Sequence, residues 1–321
     1  MHDFGIAMDG RTPVAAIAAL AGAAEEGGAA TLWVASHLFL RDPIATAAIA
    51  LSATRRIKVA LMAMSPYAVH PVFTAMAAAT LEEMFPGRVI LCLGVGAPAD
   101  LQAAGIVTSR PLTALAEAIG ICRALFAGER VEQDGQIFRA RGRRLVNGGR
   151  SIPIVLAASR PRMLALAGRA ADGVLLSAAT SAPFVRVCLD RVEAGAAGRP
   201  LRKLGIVHAR LGATETEAMN GLRRPIGFVL RGAHHAENIR LSGAPLDPAA
   251  LAAAFAAEDW AEVDRLVSDD VVRPHAACGN AAQVRARLDE YRALGLDEVI
   301  IGGVDDAENV AAILDVARSA A

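Results

Sequence analysis

Short apolar runs alternate with longer helix-like stretches along the chain. Runs of strand length occur at residues 3–8, 30–35, 57–62, 89–93, 152–157, 173–177, 204–209 and 298–301. Helices are predicted between them at residues 13–26, 43–54, 71–84, 111–127 and 161–171, several of which begin at a proline. This alternation is typical of βα units around a parallel sheet. Eight strands with interleaved helices predict an α/β fold built as a closed (β/α)8 TIM barrel.

An open, doubly wound sheet is the alternative architecture. Such sheets usually have fewer strands and a G-x-G-x-x-G motif after the first one, which this sequence lacks. We expect residues 1–321 to form one domain with two insertions. Residues 129–145 predict a β-hairpin turned at Asp134 and Gly135. Residues 231–272, the lid, are too long for a simple connection and predict extra helices around a loop.

Charge and hydropathy exclude several classes of partner. The 33 Lys and Arg residues balance 33 Asp and Glu, so the chain lacks the basic surface that a nucleic-acid backbone requires. The first residues show no basic segment followed by an apolar core, and charges interrupt the alanine-rich stretches. We therefore expect a cytoplasmic protein that binds neither nucleic acid nor a membrane.

The cysteines and lysines also narrow the chemistry. Four cysteines, Cys92, Cys122, Cys188 and Cys278, lie far apart without a C-x-x-C pair, which predicts buried, reduced thiols. The only two lysines, Lys58 and Lys203, each precede an apolar run and so belong at the bottom of a barrel. A Schiff-base lysine at the mouth, where the strands end, is therefore excluded.

The residues at the strand ends are small and poor in carboxylates. In chain order they are Asp9, Ser36, His37, Met64, Ser65, Gly94, Val95, Gly96, Ala158, Ser159, Ser177, Ala178, Arg210, Gly302 and Gly303. Without converging Asp and Glu side chains, a divalent-metal site or a two-carboxylate glycosidase site is hard to build. Small residues let backbone N–H groups approach a ligand, and helix N-termini favour phosphate. The mouth therefore predicts a binding site for a phosphorylated ring and no metal.

Two glycine- and serine-containing segments are the candidate phosphate cradle. LGVGAP, residues 93–98, is one half, and AASRP, residues 157–161, is the other. Alternatively, Gly94 and Gly96 serve only a tight βα turn, and Ser159 is only the N-cap of the following helix.

His37 is the first candidate for chemistry, because it follows a buried strand and would lie at the mouth. The alternative for His37 is an ordinary hydrogen-bonding loop residue. His70 is expected to help the turn into the helix at Pro71, and His208 to face the core or the barrel lumen. His234 and His235 have no ligand-like partner at a fixed spacing and are assigned no metal.

Five separated segments resemble the luciferase-like family of flavin- and deazaflavin-dependent oxidoreductases, in particular the branch with methylene-tetrahydromethanopterin reductase. The segments are ATLWVASHLFLRDP, VALMAMSPYAVHP, TAMAAATLEEMFPGRVILCLGVGAP, IPIVLAASRPRMLALAGRAADGVLLSAAT and CGNAAQVRARLDEYRALGLDEVIIGG. They span almost the whole chain in the family's order. The resemblance implies a (β/α)8 barrel with insertions, a homodimer, and a cofactor whose ring sits in the mouth.

The resemblance also implies roles for individual residues. His37 matches the family histidine beside the ring or substrate, where it takes part in proton transfer. The backbone at Met62, Ala63 and Met64 matches a bulge behind the ring, which in some members contains a cis non-proline peptide. The remaining matches are Gly94, Val95 and Gly96 beside the ring, Ala158, Ser159 and Arg160 at the phosphate, and Ser177 and Ala178 at the next strand end.

Two positions depart from the family pattern. Ser36 stands where the family commonly has Asp or Glu before the histidine, so a carboxylate that would orient or charge the imidazole is missing. Ala7 stands where the methanopterin reductases carry a Glu on the first strand. Asp9 lies two residues further, on the same strand face but about 6.6 Å along it.

We interpret the chain as an oxidoreductase that transfers a hydride between its cofactor and a small organic substrate. The cofactor is coenzyme F420, a deazaflavin, or FMN, with the motifs favouring the deazaflavin. The alternatives are an FMN-dependent monooxygenase that uses oxygen, a barrel that has lost catalysis and acts as a binding protein, and a metal-dependent barrel enzyme.

Overall fold

Eight parallel strands close into a barrel in the computed structural model, which describes residues 3–319. The barrel strands are β1 (Asp3–Met8), β2 (Thr31–Ala35), β3 (Lys58–Met64), β4 (Val89–Leu93), β7 (Ile154–Ala158), β8 (Gly173–Leu176), β9 (Arg202–Leu211) and β11 (Glu298–Gly302). Each strand pairs with the next in that order, and β11 pairs with β1. The pairing of β8 with β9 completes the closed sheet, so the TIM barrel is confirmed and the open sheet is wrong.

Helices cover the outside of the barrel. They are α1 (Val14–Glu26), α2 (Pro43–Ala53), α3 (Pro71–Met84), α4 (Pro98–Ala103), α5 (Pro111–Phe126), α6 (Pro161–Ala170), α7 (Ala182–Ala196), α8 (Glu215–Leu230), α9 (Ala236–Ser242), α10 (Pro248–Ala256), α11 (Trp260–Leu266), α12 (Asp269–Val272), α13 (Ala281–Ala293) and α14 (Ala307–Arg318). Proline stands at the first turn of α2, α3, α5 and α6, as the sequence predicts. At α3, His70 is the N-cap, and its Nδ1 accepts the N–H of Val72 at 3.2 Å.

The two segments interpreted as insertions hold elements outside the barrel, although the hairpin turn is longer than the predicted turn at Asp134 and Gly135. Strands β5 (Val131–Asp134) and β6 (Arg139–Arg143) form an antiparallel hairpin, closed by a longer loop at residues 135–138. The carboxylate of Glu117 accepts three backbone N–H groups of that loop, at 2.7 to 3.1 Å. The lid holds α9 to α12, whose apolar side chains pack with α8 into a small core of their own.

Strand β10 (Ala276–Gly279) was not predicted from the sequence. It runs parallel to the last four residues of β9, beyond the part of β9 that pairs with β8. Gly212, directly after β9, donates its N–H to the carbonyl of Gly279 at 3.1 Å. The chain therefore leaves the barrel and returns to it at nearly the same place.

Alternate side chains of the strands face two different cores. One set packs against the helices, and the other fills the barrel lumen with Trp33, Ile90, Val155, Leu175, Leu204, Ile206 and Ile300 among its members. Lys58 and Lys203 lie at the amino ends of β3 and β9, at the bottom of the barrel. Across residues 3–319, no helix combines the length and apolar character that a membrane crossing requires.

A polar cluster closes the bottom of the lumen. The bottom cluster consists of Thr31, Trp33, Arg202 and Glu298. The Glu298 carboxylate accepts hydrogen bonds from the Thr31 hydroxyl, from Trp33 Nε1 at 2.9 Å and from Arg202 at 2.9 Å. A Cβ on Gly5 would overlap the Glu298 carboxylate and the Thr31 hydroxyl, so glycine leaves room for this cluster.

Candidate functional site at the barrel mouth

The upper lumen is lined mostly by small side chains. Four alanines and one larger residue, which are partly buried, pack against the lumen core: Ala7, Met62, Ala63, Ala157 and Ala178. Gly94 continues this surface, since a Cβ there would lie 2.9 Å from the Cβ of Ala63 and 3.4 Å from that of Ala157. The strands therefore end around an open, apolar platform at the mouth.

A bulge in β3 shapes one side of this platform. The peptide bond between Met62 and Ala63 is cis, and the pairing of β3 with β4 shifts register between Leu61 and Met64. The carbonyl of Met62 accepts the N–H of Ser36 at 2.5 Å, and that of Met64 accepts the N–H of Gly94 at 3.1 Å. The bulge is thus fixed to both neighbouring strand ends.

Three of the residues expected to touch a cofactor direct their side chains away from the lumen. Met64 and Ala158 are buried in the core between barrel and helices, and Val95 packs against that core. Only the main chain of these three residues faces the mouth region. The Val95 carbonyl is already bonded to the Ser65 hydroxyl at 2.6 Å, which fixes the loop after β4.

The loop after β4 combines two roles for glycine. Gly96 has a φ of 93°, which favours glycine, so the tight-turn interpretation holds for this residue. Gly94 needs the close approach to Ala63 described above. The two glycines of LGVGAP therefore serve different physical needs.

The second candidate phosphate segment leads into α6. Arg160, not Ser159, is the N-cap of that helix, so the N-cap alternative for Ser159 is wrong. Within residues 3–319, no side chain caps the first N–H groups of α6. These N–H groups and the exposed Arg160 side chain make this end of α6 favourable for an anion.

Lid residues fix the loop after β8. The Ser177 hydroxyl lies 3.3 Å from Nε2 of His235, which is 1% exposed. Asn238 donates to the Ala179 carbonyl at 2.7 Å and accepts the N–H of Ser181 at 2.9 Å. Burial lowers the pKa of His235 to about 3, with His234 and His275 adding to the effect. The imidazole is therefore neutral at physiological pH.

His37 stands at the mouth after β2, and the structure gives it a carboxylate partner. Its Nδ1 lies 3.9 Å from Oδ2 of Asp100, in the first turn of α4. This separation exceeds a hydrogen bond, so the Asp100 charge acts on the imidazole electrostatically and favours its protonated form. Burial lowers the pKa of His37, while Asp100 and Asp9 oppose the change and Arg11 adds to it.

A second histidine approaches the mouth from β9. His208 faces the lumen beside Gly302 and Gly303, and its Nδ1 has no hydrogen-bond partner among the described residues. Burial lowers its pKa to about 4, although Asp9 opposes this shift. The expectation that His208 faces the core or the lumen is confirmed.

Sequence reasoning missed Asp100, His208 and His235 as neighbours of the site. Asp100 carried a signal, because it follows the LGVGAP segment within one helical turn. His235 carried none, since its contact with Ser177 spans 58 residues.

Within the described range, no three His, Cys, Asp or Glu side chains are grouped so that they could hold a metal ion. Burial raises the pKa of Cys122 and of Cys188, each to about 12.

Known proteins share this sequence pattern and this fold. A family model described as luciferase-like monooxygenase matches residues 2–298. The 5,10-methylenetetrahydromethanopterin reductase of Methanolobus tindarius is 30% identical over 308 residues, covering 93% of each chain. The structure of the coenzyme F420-dependent tetrahydromethanopterin reductase from Methanopyrus kandleri has a TM-score of 0.87 at 24% identity, covering 98% of this chain and 97% of its own. The oxygenating constituent of 3,6-diketocamphane monooxygenase from Pseudomonas putida, solved with FMN, has a TM-score of 0.72 at 18% identity, covering 98% of this chain and 96% of its own.

Proposed function

The chain belongs to the luciferase-like family of oxidoreductases, and on that premise we propose that it transfers a hydride between coenzyme F420 and a small organic substrate. The observation that carries this proposal is the juxtaposition at one barrel mouth of an apolar platform and the His37–Asp100 pair. The similarity to the coenzyme F420-dependent reductase from Methanopyrus kandleri favours a deazaflavin over FMN.

The residues present fit a phosphorylated tricyclic ring. Alanines and Gly94 leave a flat space at the top of the lumen, which a single Cβ at Gly94 would obstruct. On this proposal Ala63 and Ala157 would hold the ring, and Ser177 with the uncapped N-terminus of α6 would hold its phosphate. When bound, such a ring supplies the hydride acceptor or donor, so the protein needs no redox group of its own.

His37 holds or accepts a proton beside the reacting atoms. Burial lowers its pKa despite the opposing Asp100 charge, so the imidazole is neutral near pH 7 and has a free lone pair. Nδ1 faces Asp100, which favours the tautomer with its proton on Nδ1 and leaves Nε2 as the proton acceptor.

Asp100 also bears on the alternative of a barrel without catalysis. That alternative rested on Ser36 and Ala7, which stand where relatives carry carboxylates. Asp100 brings a carboxylate to His37 from a different element, so Ser36 no longer leaves the imidazole without one. This weighs in favour of an active enzyme.

Cofactor titration is the direct test. The purified protein is titrated with coenzyme F420, FMN and riboflavin, and the ring absorbance and fluorescence are followed. We expect F420 to bind most tightly, and FMN to bind at least about tenfold more tightly than riboflavin because only FMN carries the phosphate. Binding of none of the three would contradict the proposal.

The second candidate is an FMN-dependent monooxygenase. The family description and the similarity to the FMN-bound constituent from Pseudomonas putida favour it. Its signature is tight binding of FMN with weak binding of F420, and rapid reoxidation of the reduced protein–FMN complex by oxygen. An F420 enzyme is expected instead to reduce or oxidise F420 with a substrate such as 5,10-methylenetetrahydromethanopterin, the compound named for the Methanolobus relative.

A further inference from the structure

Arg231, directly after α8, presents a guanidinium group that forms no ion pair within 4.0 Å among residues 3–319. Within residues 3–319, neither a carboxylate nor a carbonyl accepts a hydrogen bond from this group, although the side chain is half-buried. Its Cζ lies 4.0 Å from the ring centroid of Phe228 and 5.0 Å from that of Phe255. Stacking fixes the plane of the guanidinium and leaves its N–H groups available.

Arg11, in the loop after β1, lies over the same aromatic ring. Its Cζ is 5.2 Å from the centroid of Phe228, so the guanidinium groups of Arg11 and Arg231 both pack against this ring of α8. Arg11 also contacts Asp9, at 3.4 Å between NH1 and Oδ2. The two arginines on Phe228 are therefore linked, through Arg11 and Asp9, to the end of β1 at the mouth.

The charge of Asp100 acts on both Arg231 and His37. Burial lowers the pKa of Arg231, while Asp100 raises it and Arg11 lowers it further. Asp100 Oδ2 is the atom 3.9 Å from His37 Nδ1. Arg231, Arg11 and the His37–Asp100 pair thus border one part of the mouth.

A nearby arginine shows what is unusual about Arg231. Arg224, seven residues earlier on α8, also stacks on an aromatic ring, with Cζ 5.4 Å from the centroid of Trp260. Its guanidinium is paired with Asp264 at 3.0 Å. Both arginines stack on an aromatic ring, but of the two only Arg224 also forms an ion pair with a carboxylate.

We propose that Arg231, assisted by Arg11, binds an anionic group of the substrate, a carboxylate or a phosphate, beside the His37–Asp100 pair. The planar fork of N–H donors matches such a group bidentately. This inference deepens the proposed function, because it assigns a substrate class to the same site. The carboxylates of the F420 tail offer the same chemistry, so the test separates the two sources.

The test compares two probes of similar size, benzoate and benzamide, which differ in charge. Their affinities are measured by ligand-observed NMR on the wild-type protein, with and without bound cofactor. We expect benzoate to bind about tenfold more tightly than benzamide, as a charged bidentate contact predicts. Arg231→Gln is expected to abolish this preference, and Arg11→Gln to reduce it about threefold. Arg224→Gln, the matched control, is expected to keep it.

Three outcomes would overturn the inference: equal binding of the two probes to wild type, an unchanged preference in Arg231→Gln, or a weaker affinity of Arg231→Gln for F420 with FMN unaffected. The last would assign Arg231 to the cofactor tail. Failure of the proposed function gives a different result, since no cofactor would then bind while the probe preference of the unloaded protein persisted.

Discussion

The two ends of the barrel differ in whether their buried polar groups are hydrogen-bonded. In the bottom cluster, Glu298 accepts from three different side chains, and burial raises the pKa of its carboxyl against the opposing effect of those bonds. At the mouth, Nδ1 of His208 and Nδ1 of His235 are buried without a partner among the described residues. The hydrogen-bonded groups at the bottom stabilise the fold, whereas the two unpaired imidazole nitrogens at the mouth lower its stability.

Replacing His37 at the mouth tests this contrast most strongly. His37→Ala should lower turnover by about 100-fold or more, because it removes the neutral imidazole beside the reacting atoms. The free energy of unfolding should change little, since the side chain is 41% exposed. Steady-state rates and urea unfolding measure the two effects. His70→Ala, which removes an N-cap histidine packed against Phe138 of the hairpin, is the control and should leave turnover unchanged. Equal turnover of the His37 variant and wild type would contradict the assignment.

Replacing Glu298 at the bottom should have the reverse effect. Glu298→Ala removes the acceptor of the Thr31 hydroxyl and one of the two acceptors of Trp33 Nε1, which then keeps only Thr31 Oγ1. We therefore expect it to lower the free energy of unfolding by about 2–4 kcal/mol. Cofactor affinity should stay within about twofold of wild type. Asp3→Asn, which removes only the exposed ion pair to Arg202, is the control and should cost less than about 1 kcal/mol. Equal stability of the two variants in urea unfolding would argue against the bottom cluster.

Low pH should destabilise the folded protein, because His235 at the mouth is buried in its neutral form. The unfolded chain binds a proton at His235 below about pH 6.5, whereas the folded chain does so only near the lowered pKa of about 3. Stability therefore falls as pH decreases through this window, by up to about 1.4 kcal/mol per pH unit for this group. His235→Gln should flatten the slope in urea unfolding between pH 6.5 and pH 4. An unchanged slope would show that other groups dominate the acid response.

Asp100 offers the mildest test. Asp100→Asn removes a negative charge that raises the pKa of His37, so the protonated imidazole becomes less stable. The acid limb of the pH profile of kcat/KM should move to lower pH, and turnover near neutral pH should fall about fivefold. Asp305→Asn, in the loop after β11, removes a carboxylate that does not shift the pKa of His37 and should leave the limb in place. A limb that does not move in the Asp100 variant would show that the pair is not coupled in solution.

Sequence periodicity was sufficient to predict the barrel strands, but not the direction in which the side chains at the mouth point. The barrel strands were predicted because each buries a continuous apolar run, and only β10 escaped, being four residues long and paired with the top of β9 alone. The resemblance implied runs of adjacent residues at the cofactor, such as Met62 to Met64. In a strand, successive side chains point to opposite faces, so Met64 and Ala158 turn towards the helices.

The electrostatic partners at the mouth depended on tertiary structure. Asp100 reaches His37 only because α4 begins where β4 ends, next to β3 and β2. His235 and Arg231 reach the barrel only once the lid has folded over it. No local pattern encodes such contacts, whereas the capping role of His70 is local and was predicted correctly. The homodimer remains a prediction.

The hydrogen bond between Gly212 and Gly279 joins the two ends of a segment that comprises α8, the lid and most of β10. Residues 213–278 leave the barrel and rejoin it at neighbouring points, and the apolar side chains of α8 and the lid form a separate small core. A segment held in this way can be lengthened, shortened or replaced by that of a relative without changing the register of the eight barrel strands. Substrate preference in such an architecture can therefore diverge through the lid while the barrel is retained.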